Sequence, residues 1–296
     1  MTSLRRTCEL DGPYDLERSL FLGDLGRSNP TLRRLGPGQL LRASHTPEGP
    51  ATFAVAVGSG RVELEAWGPG AEWVLAALPD TLGLTDAPPR FSGRLGRIQR
   101  THPGVRCSRA LDVFDLLSSY VIRQRVAWRD AVRSQLSLLR AHGQPAPGPG
   151  ELVLPLAPEQ WRGLTTADLA GCFIERKRAV TLLRIAGEAG RIRAWAELGS
   201  AEFGARIEAL PGIGPWTRAM VCGYGLGDLD AVPLGDYDLP SAVAHALADE
   251  PRADDARMLE LLEPYAGQRF RVIRLLLAGG QRAPRFGPRK RFTPFG

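Results

Sequence analysis

Apolar and polar residues alternate in part along two neighbouring segments near the N-terminus, residues 52–57 and 61–67. This period of two is typical of strands that bury one face. Gly-Ser-Gly at residues 58–60 separates the segments, and its glycines allow the tight reversal of a β-hairpin. Residues 71–78 are apolar enough for a helix that packs on the sheet. Residues 1–95 are therefore predicted to form a small mixed α/β domain.

Helical spacing of apolar residues replaces this alternation further along the chain. Residues 111–122 show it, and a second helix is predicted over residues 128–139. A proline pair within residues 86–90 indicates a boundary before this region. We therefore predict an α+β fold, in which an all-α domain over residues 96–280 follows the N-terminal domain.

Two further segments are predicted to lack regular structure. Residues 142–150 are rich in Pro and Gly and are expected to form a loop. Residues 281–296 form a basic tail with phenylalanines spread through it. Such a tail is either an arm that lies on the folded body or a disordered end, and the sequence leaves both alternatives open.

The composition is that of a globular protein with an excess of positive charge. Apolar residues make up 44% of the 296 residues, which is enough for a sizeable core. The formal net charge is +6, and Arg supplies nearly all the positive charge because Lys177 and Lys290 are the only lysines. This balance indicates either a polyanionic partner or a solvated, Arg-rich surface.

Cysteine usage and the absence of cofactor motifs exclude several classes of site. Cys8, Cys107, Cys172 and Cys222 lie too far apart for a zinc or iron–sulfur motif, and the chain has no Walker loop or dinucleotide-binding motif. The 4 histidines form no evident constellation. Scattered cysteines are typical of reduced thiols, and no apolar run suits a membrane span or a signal peptide. We expect a cytoplasmic protein without a redox cofactor or a catalytic metal.

The most informative segment is Leu-Pro-Gly-Ile-Gly at residues 210–214, which is too tight and Gly-rich for a helix. Helical sequence flanks it, and Pro215 suits the first turn of the helix that follows. Glycines let the backbone turn sharply and expose main-chain N–H groups, which bind phosphate well at the start of a helix. The alternative is an ordinary turn between packed helices. We favour a hairpin that binds DNA through its four central residues, Pro211, Gly212, Ile213 and Gly214.

A second candidate lies about twenty residues beyond Trp216, where Asp236 follows Gly235 and precedes an apolar segment at residues 240–248. An isolated Asp in this position is usually a helix N-cap. The spacing from the hairpin favours a catalytic carboxylate instead. Asp238 is the competing carboxylate.

Together these motifs place residues 100–280 close to a known family. The region resembles the helix-hairpin-helix–GPD superfamily of DNA repair glycosylases, and it is most similar to the bacterial DNA-3-methyladenine glycosylase II branch. Residues 100–125 resemble the first helix of that catalytic domain and the loop after it, while residues 1–95 are compatible with its N-terminal sheet domain. The resemblance implies a monomeric enzyme of base excision repair, associated with the bacterial nucleoid, that acts on double-stranded DNA containing a damaged base.

In this family Asp236 would be the catalytic carboxylate and Asp238 would cap the next helix. Cleavage of an N-glycosidic bond builds positive charge on the sugar, and a fixed carboxylate stabilises that charge. An alkylated purine is already cationic and leaves easily, so the resemblance implies this class of lesion first. Uracil, hypoxanthine and oxidised purines stay open as alternative lesions, and a non-enzymatic DNA-binding protein stays open as an alternative function.

Trp216 indicates the subtype of the enzyme. Family members that also cut the DNA backbone have a Lys at this hairpin position, whose amine attacks the sugar. Trp cannot form that Schiff base, so the resemblance implies a monofunctional glycosylase. Its ring would stack on the extruded base through π overlap and cation–π attraction, and the alternative is simple core packing.

The remaining expectations also come from the resemblance. Met220 and Gln268 would line the base pocket at positions where that branch often has aromatic residues. Gln124, Arg125 and Thr217 would contact DNA, with Arg125 at the place of the wedge that fills the gap left by the flipped base. A monovalent cation, Na⁺ or K⁺, would bind main-chain carbonyls of the hairpin, namely those of Glu208, Leu210 and Ile213.

Overall fold

An antiparallel sheet forms the first part of the computed structural model, which describes residues 2–20 and 28–284. Its strands are β1 (Leu4–Glu9), β2 (Leu32–Gly36), β3 (Gln39–Thr46), β4 (Gly49–Gly58) and β5 (Arg61–Trp67). They are arranged in the order β1-β5-β4-β3-β2. Strands β2 to β5 therefore lie next to one another in the order of the sequence, and β1 pairs with β5 at the edge of the sheet. The predicted hairpin is therefore confirmed as β4 and β5, with Val55 opposite Leu64.

The period-two pattern sets which face of the sheet is buried. Val62, Leu64 and Ala66 of β5 are buried, while the glutamates between them are more exposed. Helix α2 (Ala71–Thr81) packs over this face and confirms the predicted helix. A short helix, α1 (Leu16–Ser19), adds Leu16 to the same core.

The other face of the sheet is covered by a segment from the middle of the chain. Leu152 and Leu154 pack there against Leu41 and Ala43. The predicted Pro- and Gly-rich loop leads into this segment, and Val153 donates a backbone hydrogen bond to Pro30 (2.8 Å). A region outside the predicted N-terminal domain thus completes that domain's second core.

The rest of the described chain is helical, and the α+β fold is confirmed. The first group of helices is α3 (Gly93–Thr101), α4 (Val113–Arg123), α5 (Trp128–His142), α6 (Pro158–Arg162), α7 (Thr166–Gly171), α8 (Arg176–Gly187) and α9 (Ala189–Ala196). The second group is α10 (Ser200–Glu208), α11 (Pro215–Val221), α12 (Leu239–Ala248), α13 (Asp255–Leu262) and α14 (Arg269–Ala278). A π-helical turn, Cys222–Leu226, continues α11.

Two apolar cores organise these helices. The larger one surrounds α4 and includes Phe114, Leu117 and Phe203, and the smaller one joins α3 to α12, α13 and α14. None of the helices in the described residues is both long and apolar enough to cross a membrane. Most of the tail predicted over residues 281–296, including Lys290, lies outside the described residues.

Buried arginines connect the helical part to the first ninety residues. Arg271 of α14 forms a two-pronged ion pair with Asp86, with contacts of 2.6 and 2.5 Å. Arg274, one turn along, donates to the carbonyl of Ser19. Arg106 donates to the carbonyls of Leu84 (3.0 Å) and Asp11 (2.7 Å). These contacts satisfy charges that would be costly to bury alone.

The Asp86–Arg271 pair generates a stability prediction. The side chains are only 12% and 6% exposed, so Asp86→Asn leaves a buried guanidinium without its counter-charge. We expect the free energy of unfolding to fall by about 3 kcal/mol, measured by urea denaturation. Glu159→Gln is the matched control, because the Arg162–Glu159 pair is 52% and 71% exposed and its loss is expected to have little effect. Equal effects of the two substitutions would contradict this role.

The same pair predicts a pH dependence. Burial alone raises the pKa of the Asp86 carboxyl, but hydrogen bonds from Arg271 and from the Cys107 N–H outweigh burial, so its pKa is lowered. A lowered folded pKa gives a stabilisation that is complete above the unfolded value of about 3.9 and is lost as the pH falls through the folded pKa. Asp86→Asn should therefore weaken the loss of stability on acidification below about pH 4. Urea titrations of both proteins across this range measure the difference.

Candidate active site

The Leu-Pro-Gly-Ile-Gly segment forms the turn between α10 and α11. Gly212 has a φ of 99°, a left-handed conformation that favours glycine, and the Ile213 N–H closes the turn onto the Leu210 carbonyl at 3.0 Å. Pro215 occupies the first turn of α11, as its fixed φ allows. Ile213 is buried in the large helical core and anchors the turn from below.

Two other helices hold this turn in place. Arg184 of α8 donates to the Pro211 carbonyl at 2.8 Å. Gln124, at the end of α4, donates from its Nε2 to the Gly212 carbonyl (3.0 Å) and to Thr217 Oγ1 (2.9 Å). The Thr181 side chain lies so close under Gly212 that a Cβ there would meet its Oγ1 at 2.2 Å. The hairpin is therefore a rigid feature of the surface.

The turn leaves main-chain donors available to a ligand. Within the described residues, the N–H groups of Gly212 and Gly214 have no hydrogen-bond acceptor. A Cβ at Gly214 would meet nothing within 4 Å, so space is open in front of this part of the backbone. Donors at the start of a helix, together with its dipole, favour an anion such as phosphate.

The three carbonyls predicted to bind a cation are compatible with that role. The Leu210 carbonyl accepts the Ile213 N–H and keeps a second lone pair. The carbonyls of Glu208 and Ile213 accept no hydrogen bond from the described residues. Carbonyl oxygens are hard ligands of the kind that alkali and alkaline-earth cations prefer. The cation itself stays a prediction.

Asp236 lies in the loop between the π-helical turn and α12, where three donors hold its carboxylate. Oδ1 accepts the backbone N–H groups of Asp238 and Leu239, both at 2.9 Å. Oδ2 accepts the indole Nε1–H of Trp216 at 2.8 Å. Asp236 is partly buried, so its carboxylate is fixed in orientation but still reaches the surface.

The structure corrects the expectation that Asp238 caps α12. The Asp238 side chain makes no capping hydrogen bond and is exposed, whereas Asp236 accepts the first N–H groups of that helix. Asp236 therefore caps α12 through Oδ1 alone, while Oδ2 faces Trp216, and its catalytic role stays a prediction. Gly235 has a φ of 80° and donates its N–H to Asp255 Oδ2 at 2.8 Å, which fixes the entry into this turn.

Trp216 is half-buried, and its ring joins an aromatic cluster. It meets the ring of Tyr120 edge-on at 5.6 Å, and Tyr120 is stacked with Tyr224 at 6.3 Å. Arg123 lies 5.6 Å from the centre of the Tyr120 ring. Burial raises the pKa of the Tyr120 hydroxyl well above its ordinary value, so it stays protonated. Trp216 thus combines partial core packing with a direct hydrogen bond to Asp236.

The other two predicted pocket residues have different surroundings. Met220 lies one turn after Trp216 on α11 and packs, partly buried, against the large helical core. Gln268 precedes α14, and its Oε1 accepts from Arg271 Nε at 2.6 Å. That contact places Gln268 beside the buried Asp86–Arg271 pair.

Three residues were predicted to contact DNA from outside the turn. Arg125 is exposed in the short loop between α4 and α5, with a left-handed φ of 55°. Gln124 instead directs its amide toward the hairpin. Thr217 is 2% exposed, so its side chain supports Gln124 and offers no surface to DNA.

Sequence reasoning did not single out several residues that shape the site. Tyr120 lies one turn before Gln124 on α4, and this spacing is the signal that would have placed it on the same face. Arg184 and Thr181 share the face of α8 that meets the hairpin. Asp230 holds the loop before Asp236, since its carboxylate accepts Gly267 N–H (2.7 Å) and pairs with Arg269.

Comparison with known proteins confirms the fold. The chain superposes on a 3-methyladenine DNA-glycosylase from Archaeoglobus fulgidus with a TM-score of 0.78 and 19% identity, covering 93% of this chain and 98% of that one. An 8-oxoguanine glycosylase/lyase from Clostridium acetobutylicum, in complex with double-stranded DNA, gives a TM-score of 0.65 and 15% identity, covering 90% and 91%. The fold implied by the sequence resemblance is therefore the fold of this chain.

Sequence comparison is weaker. A protein of Mycobacterium tuberculosis described as a probable bifunctional transcriptional activator/DNA repair enzyme, AlkA, is 26% identical over 164 residues. The match covers 46% of this chain and 28% of that protein, so the chain spans little more than a quarter of this relative's length. No protein family model matches the chain.

The two hairpin glycines generate a prediction that separates their roles. Gly212→Ala places a Cβ against Thr181 in a left-handed conformation, so it should lower the free energy of unfolding by roughly 1–3 kcal/mol. Gly214→Ala is the matched control, because its φ of −117° suits any residue and its surroundings are open. It should change stability by less than about 0.5 kcal/mol in the same urea titration. Similar losses for both variants would argue against the packing described for Thr181.

Proposed function

We propose that this chain is a DNA glycosylase that hydrolyses the bond between a damaged base and its sugar in double-stranded DNA. The observation that carries the proposal is the Asp236 carboxylate, which three donors hold beside the Trp216 ring at the start of the hairpin helix. The names of the similar proteins support it, since one is a 3-methyladenine DNA-glycosylase and another a DNA repair enzyme. Such a substrate places the protein at the bacterial chromosome in the cytoplasm, and one copy of the chain is sufficient for the reaction.

DNA binding begins at the hairpin. The N–H groups of Gly212 and Gly214 donate hydrogen bonds to a backbone phosphate without reading a base, so they bind any sequence near the lesion. Rotation of the damaged base out of the duplex costs a few kcal/mol, and less when the base is damaged or mispaired. Arg125 is exposed next to Gln124, the residue that holds the hairpin. Its guanidinium fills the gap that the flipped base leaves in the base stack and also contacts phosphate.

The carboxylate of Asp236 serves the chemical step. As the bond between sugar and base lengthens, positive charge develops on the sugar, and a fixed negative charge close by lowers the barrier. Water then adds to the sugar carbon and transfers a proton to the carboxylate or to solvent. The products are the free base and an abasic site. The Trp216 N–H and the helix N-terminus keep the carboxylate from turning away during this step.

We propose alkylated purines as the lesion class. The Trp216 ring offers a face for stacking on an electron-deficient purine, and a cationic base gains further from the π system. The names of the relatives point the same way. Met220 packs against the large helical core and Gln268 contacts Arg271, at two positions where the branch that this chain resembles often has aromatic residues. We propose that the choice among alkylated purines depends on these two residues.

The catalytic assignment predicts opposite outcomes for two neighbouring carboxylates. Asp236→Asn keeps an oxygen for the two capping N–H groups, but it loses the negative charge and faces the Trp216 N–H with an amide NH2 that cannot accept a hydrogen bond. Single-turnover base release should therefore fall at least about 100-fold. Asp238→Asn removes a nearby carboxylate that makes no capping contact and should leave the rate within about twofold. Release of methylated purines from alkylated duplex DNA measures both rates, and gel shifts check that DNA binding is retained. Near-full activity of Asp236→Asn would show the assignment to be wrong.

Monofunctional chemistry is a separate prediction. Strand cutting by the lyase route needs an amine that attacks the sugar, and Trp216 occupies the hairpin position of that amine. Damaged duplex should therefore yield abasic sites that break only after alkali, and borohydride should trap no covalent protein–DNA adduct. Lys177→Gln is the diagnostic variant, since Lys177 is the lysine within the described residues. An adduct that forms with the natural chain and disappears in this variant would move the protein to the bifunctional class.

A further inference from the structure

Helix α8 carries exposed basic residues whose positive charge has no role in the proposed catalytic step. Lys177 and Arg184 are both exposed on this helix. They are seven residues apart, which is about two turns or 10 Å along the axis, so both lie on one face. We call these two residues the α8 basic stripe.

The contacts of α8 place this stripe beside the hairpin. The Arg184 guanidinium donates one N–H to the Pro211 carbonyl, and Thr181 lies directly under Gly212. On its other side α8 is tied to α4, because the buried Arg178 donates to the Ile122 carbonyl at 2.6 Å. The helix is thus clamped between the hairpin and the end of α4, which leads into the Arg125 loop.

The charge of the stripe is not neutralised within the described part of the chain. Neither Lys177 nor Arg184 forms a salt bridge with an acidic side chain of the described residues. The acids at the two ends of α8 are Glu175 and Glu188, and Glu188 is paired with Arg191 at 3.2 Å. Between these ends α8 has no acidic residue. The stripe is therefore a site of uncompensated positive charge next to the open N–H groups of the hairpin.

We propose that the α8 basic stripe binds DNA backbone phosphates and extends the hairpin's grip along the duplex. This inference rests on the proposed function, from which it takes double-stranded DNA as the binding partner. It concerns the binding of DNA and not the release of a base. Arg184 has five N–H donors and uses one on Pro211, so the others are free to meet a phosphate. Arg184 then contacts the Pro211 carbonyl and a phosphate at the same time, so phosphate binding is coupled to the position of the hairpin. Lys177 supplies a second, independent charge two turns away.

Salt dependence of DNA binding tests the proposal. The full chain is titrated against a fluorescein-labelled undamaged duplex by anisotropy, over a series of KCl concentrations. Each lost phosphate contact lowers the slope of log K against log salt by about 0.9. We expect this reduction for Lys177→Gln and for Arg184→Gln, and about twice the reduction for the double variant. Thermal melts confirm that each variant is folded.

Matched controls separate phosphate binding from a change in net charge. Arg191→Gln and Arg206→Gln each remove one positive charge, but these arginines are paired with Glu188 and Glu202, so the slope should stay unchanged. Arg184→Lys keeps the charge and should keep the slope. If Arg184 only braces the hairpin, Arg184→Gln and Arg184→Lys will weaken binding equally at all salt concentrations, with parallel slopes.

The outcomes for binding and for base release are distinguishable. Unchanged slopes for Lys177→Gln and Arg184→Gln overturn the proposal even where the chain releases damaged bases normally. Reduced slopes support it even if no lesion is excised, in which case the proposed function fails alone. A chain without salt-dependent binding to duplex DNA overturns both.

Discussion

The hydrogen bond between Trp216 and Asp236 is the contact on which the site depends. It joins the first turn of α11, which continues the hairpin, to the loop that begins α12. Asp236 also accepts the first N–H groups of α12, so one side chain fixes the relation between two helices. The groups suited to bind phosphate and the group suited to chemistry therefore share one rigid frame. Rigid support of this kind allows a carboxylate to meet a developing charge without reorganisation during the reaction.

Much of the fold follows from periodicity and turn chemistry in the sequence. The sequence shows the β4–β5 hairpin because one face of the sheet is more buried than the other, so apolar and polar residues alternate along β5. It shows α4 because apolar residues recur there at helical spacing. The turn at Gly212 is visible because its left-handed φ favours glycine. These signals are local, and each depends on the conformation of a few consecutive residues.

The contacts that complete the site are not local, and the sequence does not display them. The neighbours of Asp236 in sequence do not show that Oδ1 accepts the first N–H groups of α12 while Oδ2 accepts the distant Trp216 N–H. Thr217 looks like a surface residue beside a DNA-binding turn, yet its hydroxyl accepts a hydrogen bond from Gln124, which lies more than ninety residues earlier in the chain. The buried arginines are likewise hidden, because charge in a sequence is usually a sign of surface.

The late arrival of covering segments gives this chain a particular order of assembly during translation. All five strands have been synthesised by residue 67, but Leu152 and Leu154, which cover one face of the sheet, follow much later. Arg271, the ion-pair partner of Asp86, is synthesised later still. A ribosome adds about 5–20 residues per second, so the nascent sheet stays uncovered for several seconds or more. The first third of the protein thus depends on later segments for its protection, and a chain terminated before them exposes the apolar surface that chaperones recognise.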